Sequence, residues 1–119
     1  MNHIIQRRHH KIDASHYTLG RLVTTAIYYL LGKNKVQYDR SRDVGDFVNI
    51  INIDKVHFTG KKFYQNKIYH YSGYPGGVKE ISVRELFHKN PQKLIRIMVH
   101  TMLPKNRLEK KILKRLSIK

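Results

Sequence analysis

A chain of 119 residues with 24 Lys and Arg against 8 Asp and Glu carries a formal charge of +16 and contains no Cys. That length suits one compact domain, and the missing thiols exclude disulfides and thiolate metal sites. The best apolar run, Leu22 to Leu31, is broken by Thr24 and Thr25 and falls well short of the roughly 20 residues that span a bilayer. Gln6-Arg7-Arg8-His9-His10 interrupts the apolar start, so no secretory leader is expected. So large a surplus of one sign strains a compact state by self-repulsion. A polyanion that binds the folded form relieves that strain. Nucleic acid is the first candidate, since each neutralised phosphate also releases counterions; an anionic membrane surface is the second.

In chain order, residues 1–9 read as a basic arm and 10–119 as one domain. His10 to Ala14 predicts a short strand. Thr18 offers an N-cap oxygen to a helix from Leu19 to Leu31, whose Leu19, Val23, Ala26, Ile27 and Leu30 share one face. Gly32 suits its C-terminal cap, where a left-handed backbone is cheap only without a Cβ. Residues 33–46 form a charged loop. Phe47 to Ile51 is a β-branched run typical of a buried strand. Val56 to Thr59 and Ile68 to Tyr71 predict two more strands, and Gly73-Tyr74-Pro75-Gly76-Gly77 a loop. Ser82 with Glu85 is a capping box for a helix to about Lys89. Asn90 followed by Pro91 starts another, with Leu94, Ile95, Met98 and Met102 on its buried face and Pro104 at its end. Leu108, Ile112 and Leu116 recur at helical spacing on a last, basic helix. Strands alternating with helices predict an α/β fold with a mostly parallel sheet.

Three segments carry candidate chemistry. The Lys33–Arg42 loop sets Lys33, Lys35, Arg40 and Arg42 around Tyr38, which suits phosphate pairing and stacking on a splayed base. The 73–79 loop combines Gly73, Gly76 and Gly77, which let a backbone approach phosphates, with the charge of Lys79. It lacks the Gly-Lys-Ser/Thr ending of a nucleotide-binding loop. The last helix presents Lys105, Arg107, Lys110 and Lys111. Met102-Leu103-Pro104 reads as core packing and helix termination. The eight His show no metal-binding spacing, and Asp43 and Asp46 read as turn or salt-bridge residues rather than an acid–base pair.

The local strings are also similar to those of a known family. Asp13-Ala14, Leu19-Gly20-Arg21-Leu22, Gly32-Lys33 and Tyr38 resemble the start of the bacterial-type ribosomal protein L13 family. Gly45-Asp46-Phe47-Val48, Asn52, Lys55-Val56, Thr59-Gly60-Lys61-Lys62, the 72–79 block and Met102-Leu103-Pro104-Lys105-Asn106-Arg107-Leu108 continue the likeness in family order over residues 10–116. The resemblance implies a three-layer α/β/α domain with a four-stranded sheet and a basic C-terminal helix. It also implies a protein that joins the large ribosomal subunit early, binds large-subunit rRNA and touches neighbouring ribosomal proteins. It implies no enzyme activity and no required cofactor; neither a membrane nor a small-molecule substrate is expected as a partner. Lys61 and Lys62 join the expected RNA contacts. The chain departs from the family in having Thr101 where Gly is usual, in lacking a Pro near Arg40, and in stopping at Lys119 where members continue into a tail. Abundant Ile and Lys, with Ala only at Ala14 and Ala26, read as AT-rich coding. Together with the absent tail, this tilts the expectation towards an organelle, mitochondrion or plastid, over a bacterial cytoplasm. The rival readings are a small RNA-processing or RNA-modifying enzyme, and a free regulatory RNA-binding module.

Overall fold

The computed structural model describes residues 6–65, 67–71 and 73–119. Met1 to Ile5 of the expected arm, Ser72 of the glycine-rich block and the side chain of Lys62 lie outside the described residues.

The first strand, β1 (His9–Asp13), leads through a 3₁₀ turn into helix α1 (Leu19–Leu31). Thr18 occupies the N-cap position, but its hydroxyl makes no capping bond; the first helical N–H, that of Leu19, donates instead to the His57 carbonyl. Gly32 ends the helix at φ 77°. A Cβ there would also meet the Val44 carbonyl oxygen at 2.9 Å, so the position favours glycine on both backbone and packing grounds. After the loop come β2 (Phe47–Ile51), α2 (Lys62–Gln65), β3 (Lys67–Tyr71) and β4 (Val78–Ser82). Helices α3 (Val83–Lys89) and α4 (Pro91–Met102) start on side-chain caps: Ser82 accepts from the Glu85 N–H and Asn90 from the Lys93 N–H. The chain closes with α5 (Glu109–Lys114) and β5 (Leu116–Ile118).

The fold is α/β with a small parallel sheet, as expected, but the sheet has three strands in the order β1-β2-β5. Two causes separate this from the expected four. Val56 to Thr59 forms no strand, making only a single bridge from His57 to Thr18. Ile68 to Tyr71 belongs to β3, which pairs antiparallel with β4 in a separate ribbon. Leu116 sits in β5, not on the last helix. Arg115 caps α5 after its six residues and turns the chain, and Leu116 and Ile118 then follow the period of a strand.

Register explains the core. His10, Val48 and Leu116 share one row, and Ile12, Ile50 and Ile118 the next. All but His10 are buried, against Leu22, Val23, Ala26 and Leu30 of α1 and Leu94, Ile95 and Val99 of α4. The opposite face carries His9, Lys11, Asp13, Phe47, Asn49, Ile51 and Ser117, none of them buried. Alternation thus puts the apolar set of every strand on one side. The burial that a second helical layer would impose on the other side is missing among the described residues. The β3–β4 ribbon leaves Tyr69, Val78 and Ile81 exposed and packs through β4 on α3.

Ile50 is fully buried in the central strand. Its truncation to Ala should therefore cost about 2–5 kcal/mol in urea denaturation, whereas Tyr69→Ala on the open ribbon should change stability by no more than about 0.5 kcal/mol.

Candidate nucleic-acid interface

The charged loop between α1 and β2 is rooted on a buried carboxylate. Asp46 is 0% exposed, and a charge so placed persists only when paired and hydrogen-bonded. Its Oδ1 receives the Lys35 ammonium at 2.7 Å and the Arg8 backbone N–H at 3.1 Å, and its Oδ2 lies 2.7 Å from His10 Nε2. The His10 ring stacks on Tyr29, with centroids 4.1 Å apart. Burial on its own would push the Asp46 carboxyl up, but the hydrogen bonds from Lys35, His10 and Arg8 together with the Lys35 charge outweigh it and hold the group at about 2.

Beside it, Arg115 (8% exposed) donates from Nη2 to the Leu30 carbonyl at 2.9 Å, and its Nη1 pairs with Asp43. Arg7 reaches the same carboxylate at 3.6 Å and donates to the Asp43 and Gly45 carbonyls. Gly45 makes this possible: a Cβ there would lie 1.6 Å from the Leu30 oxygen, so no larger residue fits without moving the loop. Asp43 and Asp46 therefore serve as salt-bridge residues, as their setting in the sequence indicates.

The structure sorts the expected contact residues. Lys35 turns inward, donating also to the carbonyls of Val44 and Gln6, so its charge is spent inside the fold. Lys33, Arg40 and Arg42 stay exposed, with no ion pair or side-chain hydrogen bond among the described residues. Tyr38 is half-buried beside them. Asp39 accepts from the Ser41 N–H at 3.0 Å, and the hydrogen bonds from Ser41 hold its carboxyl below the ordinary value.

In the ribbon, Gly73 and Gly76 are left-handed at φ 91° and 74°. Gly77 is not left-handed; it closes the turn by donating its N–H to the Tyr74 carbonyl at 2.9 Å. Lys79 and Lys61 are exposed. At the other end, Lys105 and Arg107 lie in the α4–α5 loop and Lys110 and Lys111 on α5, all four exposed.

The loop and the C-terminal segment meet. Lys33, Tyr38, Arg40 and Arg42 line a common cleft with Met102, Asn106, Leu108 and Ile112. The residues of the 73–79 turn do not line that cleft. Met102 corrects the core reading: Leu103 is the buried member of that motif, at 3% exposure, while Met102 is 48% exposed at the cleft. Sequence reasoning also passed over Arg7 and Arg115, whose internal role has no local signal because their partners lie far along the chain. Among the described residues no three His, Asp or Glu side chains converge as a metal site, and no helix is long and apolar enough to cross a membrane.

A family model described as ribosomal protein L13 matches residues 7–118. A relative from Thermotoga maritima is 46% identical over 114 residues, covering 96% of this chain and 76% of its own length. One from Thermosipho africanus is 50% identical over 107 residues, covering 90% and 72%. One from Streptomyces coelicolor is 46% identical over 114 residues, covering 96% and 78%. Each of the three is called large ribosomal subunit protein uL13.

Asp46 gives the site a pH signature. Its folded-state value of about 2 lies below the ordinary 3.8. Its stabilising contribution is thus complete above about pH 4 and lost as pH falls through about 2. Asp46→Asn should destabilise the chain by roughly 2–4 kcal/mol at neutral pH. That gap should narrow between about pH 4 and pH 2 in a denaturation series, since only the wild-type carboxylate has a proton to take up there.

Proposed function

As the chain belongs to the ribosomal protein L13 family, we propose that it is a structural constituent of the large ribosomal subunit, held there by large-subunit rRNA and by neighbouring ribosomal proteins. It is a component of a particle rather than an enzyme. Residues 10–119 act as one rRNA-binding domain, preceded by the basic segment 1–9. The observation that carries this reading is the division of labour at the Lys33–Arg42 loop: internal pairs spend Lys35, Arg7 and Arg115, and leave Lys33, Arg40 and Arg42 exposed and without an ion pair among the described residues. Unpaired cations on a chain of +16 repel one another until phosphates neutralise them.

Lys61, Lys62 and Lys79 with the Gly73–Gly77 turn, and Lys105, Arg107, Lys110 and Lys111, supply further contacts to the RNA backbone. Contacts of this kind position a protein on folded RNA without reading its sequence. The processing-enzyme alternative finds no support: Asp43 and Asp46, the carboxylates it would use, are engaged by Arg115, Arg7, Lys35 and His10. The three relatives named above come from bacteria, so they lend nothing to the organellar preference drawn from composition, and the reading is confined to the large subunit itself.

Reversing Lys33, Arg40 and Arg42 together to Glu tests the reading. The wild-type chain should co-sediment with large subunits, and the triple variant should stay in the top fractions of the gradient. On bare large-subunit rRNA, the slope of log affinity against log salt should fall by about 2–3 in the variant, as expected for three lost phosphate contacts. A triple variant that enters subunits normally removes the loop from the interface.

A further inference from the structure

We infer that the cleft between the 33–43 loop and the 102–112 segment receives a single unstacked nucleobase of the bound RNA; the inference rests on the RNA-binding reading above and assigns that reading a pocket. The cleft holds about 380 Å³, within the usual span of roughly 300–1,000 Å³ for small-ligand sites. Its lining includes the apolar Leu31, Met102 and Ile112 and the aromatic Tyr38. Met102 is 48% exposed there. Lys33, Arg40 and Arg42 line it as well, and all three are exposed.

A nucleotide in RNA is a flat, weakly polar body tethered on both sides to phosphates. The site offers apolar and aromatic surface where the body would lie and cations where its flanking phosphates would pass. Neither of the two carboxylates at the cleft opposes such a guest. Asp43 is neutralised by Arg115 and Arg7. Asp39, already ionised and anchored by Ser41, is an acceptor for an amino or imino N–H on the base edge. An apolar side chain from a neighbouring protein would cover the same apolar surface but leave Lys33, Arg40 and Arg42 offset only by the single Asp39 carboxylate, so charge complementarity selects the nucleotide.

Both walls are held before the guest arrives. The loop is pinned by the left-handed Gly32 and by Lys35 on Asp46; the 102–112 segment is pinned by buried Leu103 and followed by Arg115. A preformed cleft pays little ordering cost on binding.

Two substitutions in the two segments that line the cleft test this without touching a cation: Met102→Trp, which fills the cleft, and Tyr38→Ala, which removes the stacking surface. The readout is the affinity of the full chain for bare large-subunit rRNA across a salt series. Each variant should bind at least about fivefold more weakly than wild type, the scale of one lost base-stacking contact. The salt slope should stay that of the wild type, because no phosphate contact is removed. Binding within twofold of wild type by either variant overturns the inference. So does weakened binding with a shallower salt slope, which would report displaced phosphate contacts instead. A wild-type chain that fails to bind the rRNA refutes the RNA-binding reading itself, a result distinct from both.

Discussion

The structure depends on one buried charge. Asp46 stands at the entry to the central strand, and its carboxylate gathers the backbone before β1, the His10 side chain of β1 and Lys35 of the charged loop. Its own carbonyl lies within reach of Arg115, the residue that turns α5 into β5. One residue, through its carboxylate and its carbonyl, thereby joins the starts of all three parallel strands. An ion cluster of this kind contributes little net stability over an apolar replacement, yet breaking it leaves uncompensated charge inside. Its value is positional: the strands can come together in one register, and the α1–β2 loop in one shape.

That constraint organises the surplus of positive charge. Arg7, Lys35 and Arg115 are drawn inward and neutralised by Asp43 and Asp46, whereas Lys33, Arg40 and Arg42 make no ion pair among the described residues and stay exposed. The same loop is thus rigid at its root and charged at its tip. A preorganised set of outward cations beside an aromatic ring and an apolar cleft is suited to folded RNA, whose recognition rests on shape, phosphate and splayed bases. The open face of the sheet fits a chain that finishes its packing inside a particle, since parallel strands are seldom left bare on one side. The β3–β4 ribbon fits it too, because two strands alone are marginal in water.

What the sequence disclosed was what local chemistry controls. Gly32, Ser82 and Asn90 end or start helices through their own side chains or the lack of one, so the boundaries of α1, α3 and α4 were readable, and the family likeness was readable from motifs spread along the chain. Strand partnership was not, because it is decided by segments far apart. Nothing near Val78 announces pairing with Lys67–Tyr71, and nothing in Leu116-Ser117-Ile118 distinguishes a strand from another helical turn until β2 is there to receive it. The site divided along the same line. Lys33, Arg40 and Arg42 are exposed as their composition indicates, whereas Lys35, identical in type and two residues from Lys33, is claimed by a carboxylate eleven positions on. Met102 looked like core by its helical spacing, but it falls at the last position of α4, where the neighbouring segment turns away and opens the cleft.

The absence of Cys makes the central claim directly measurable. A single Cys introduced in place of Arg40 would carry a tethered iron chelate that generates hydroxyl radicals within a short radius, in assembled large subunits. The account predicts strand cleavage confined to one neighbourhood of the large-subunit rRNA. Subunits that hold the tethered chain yet show their rRNA uncut would place this loop away from RNA and contradict the account.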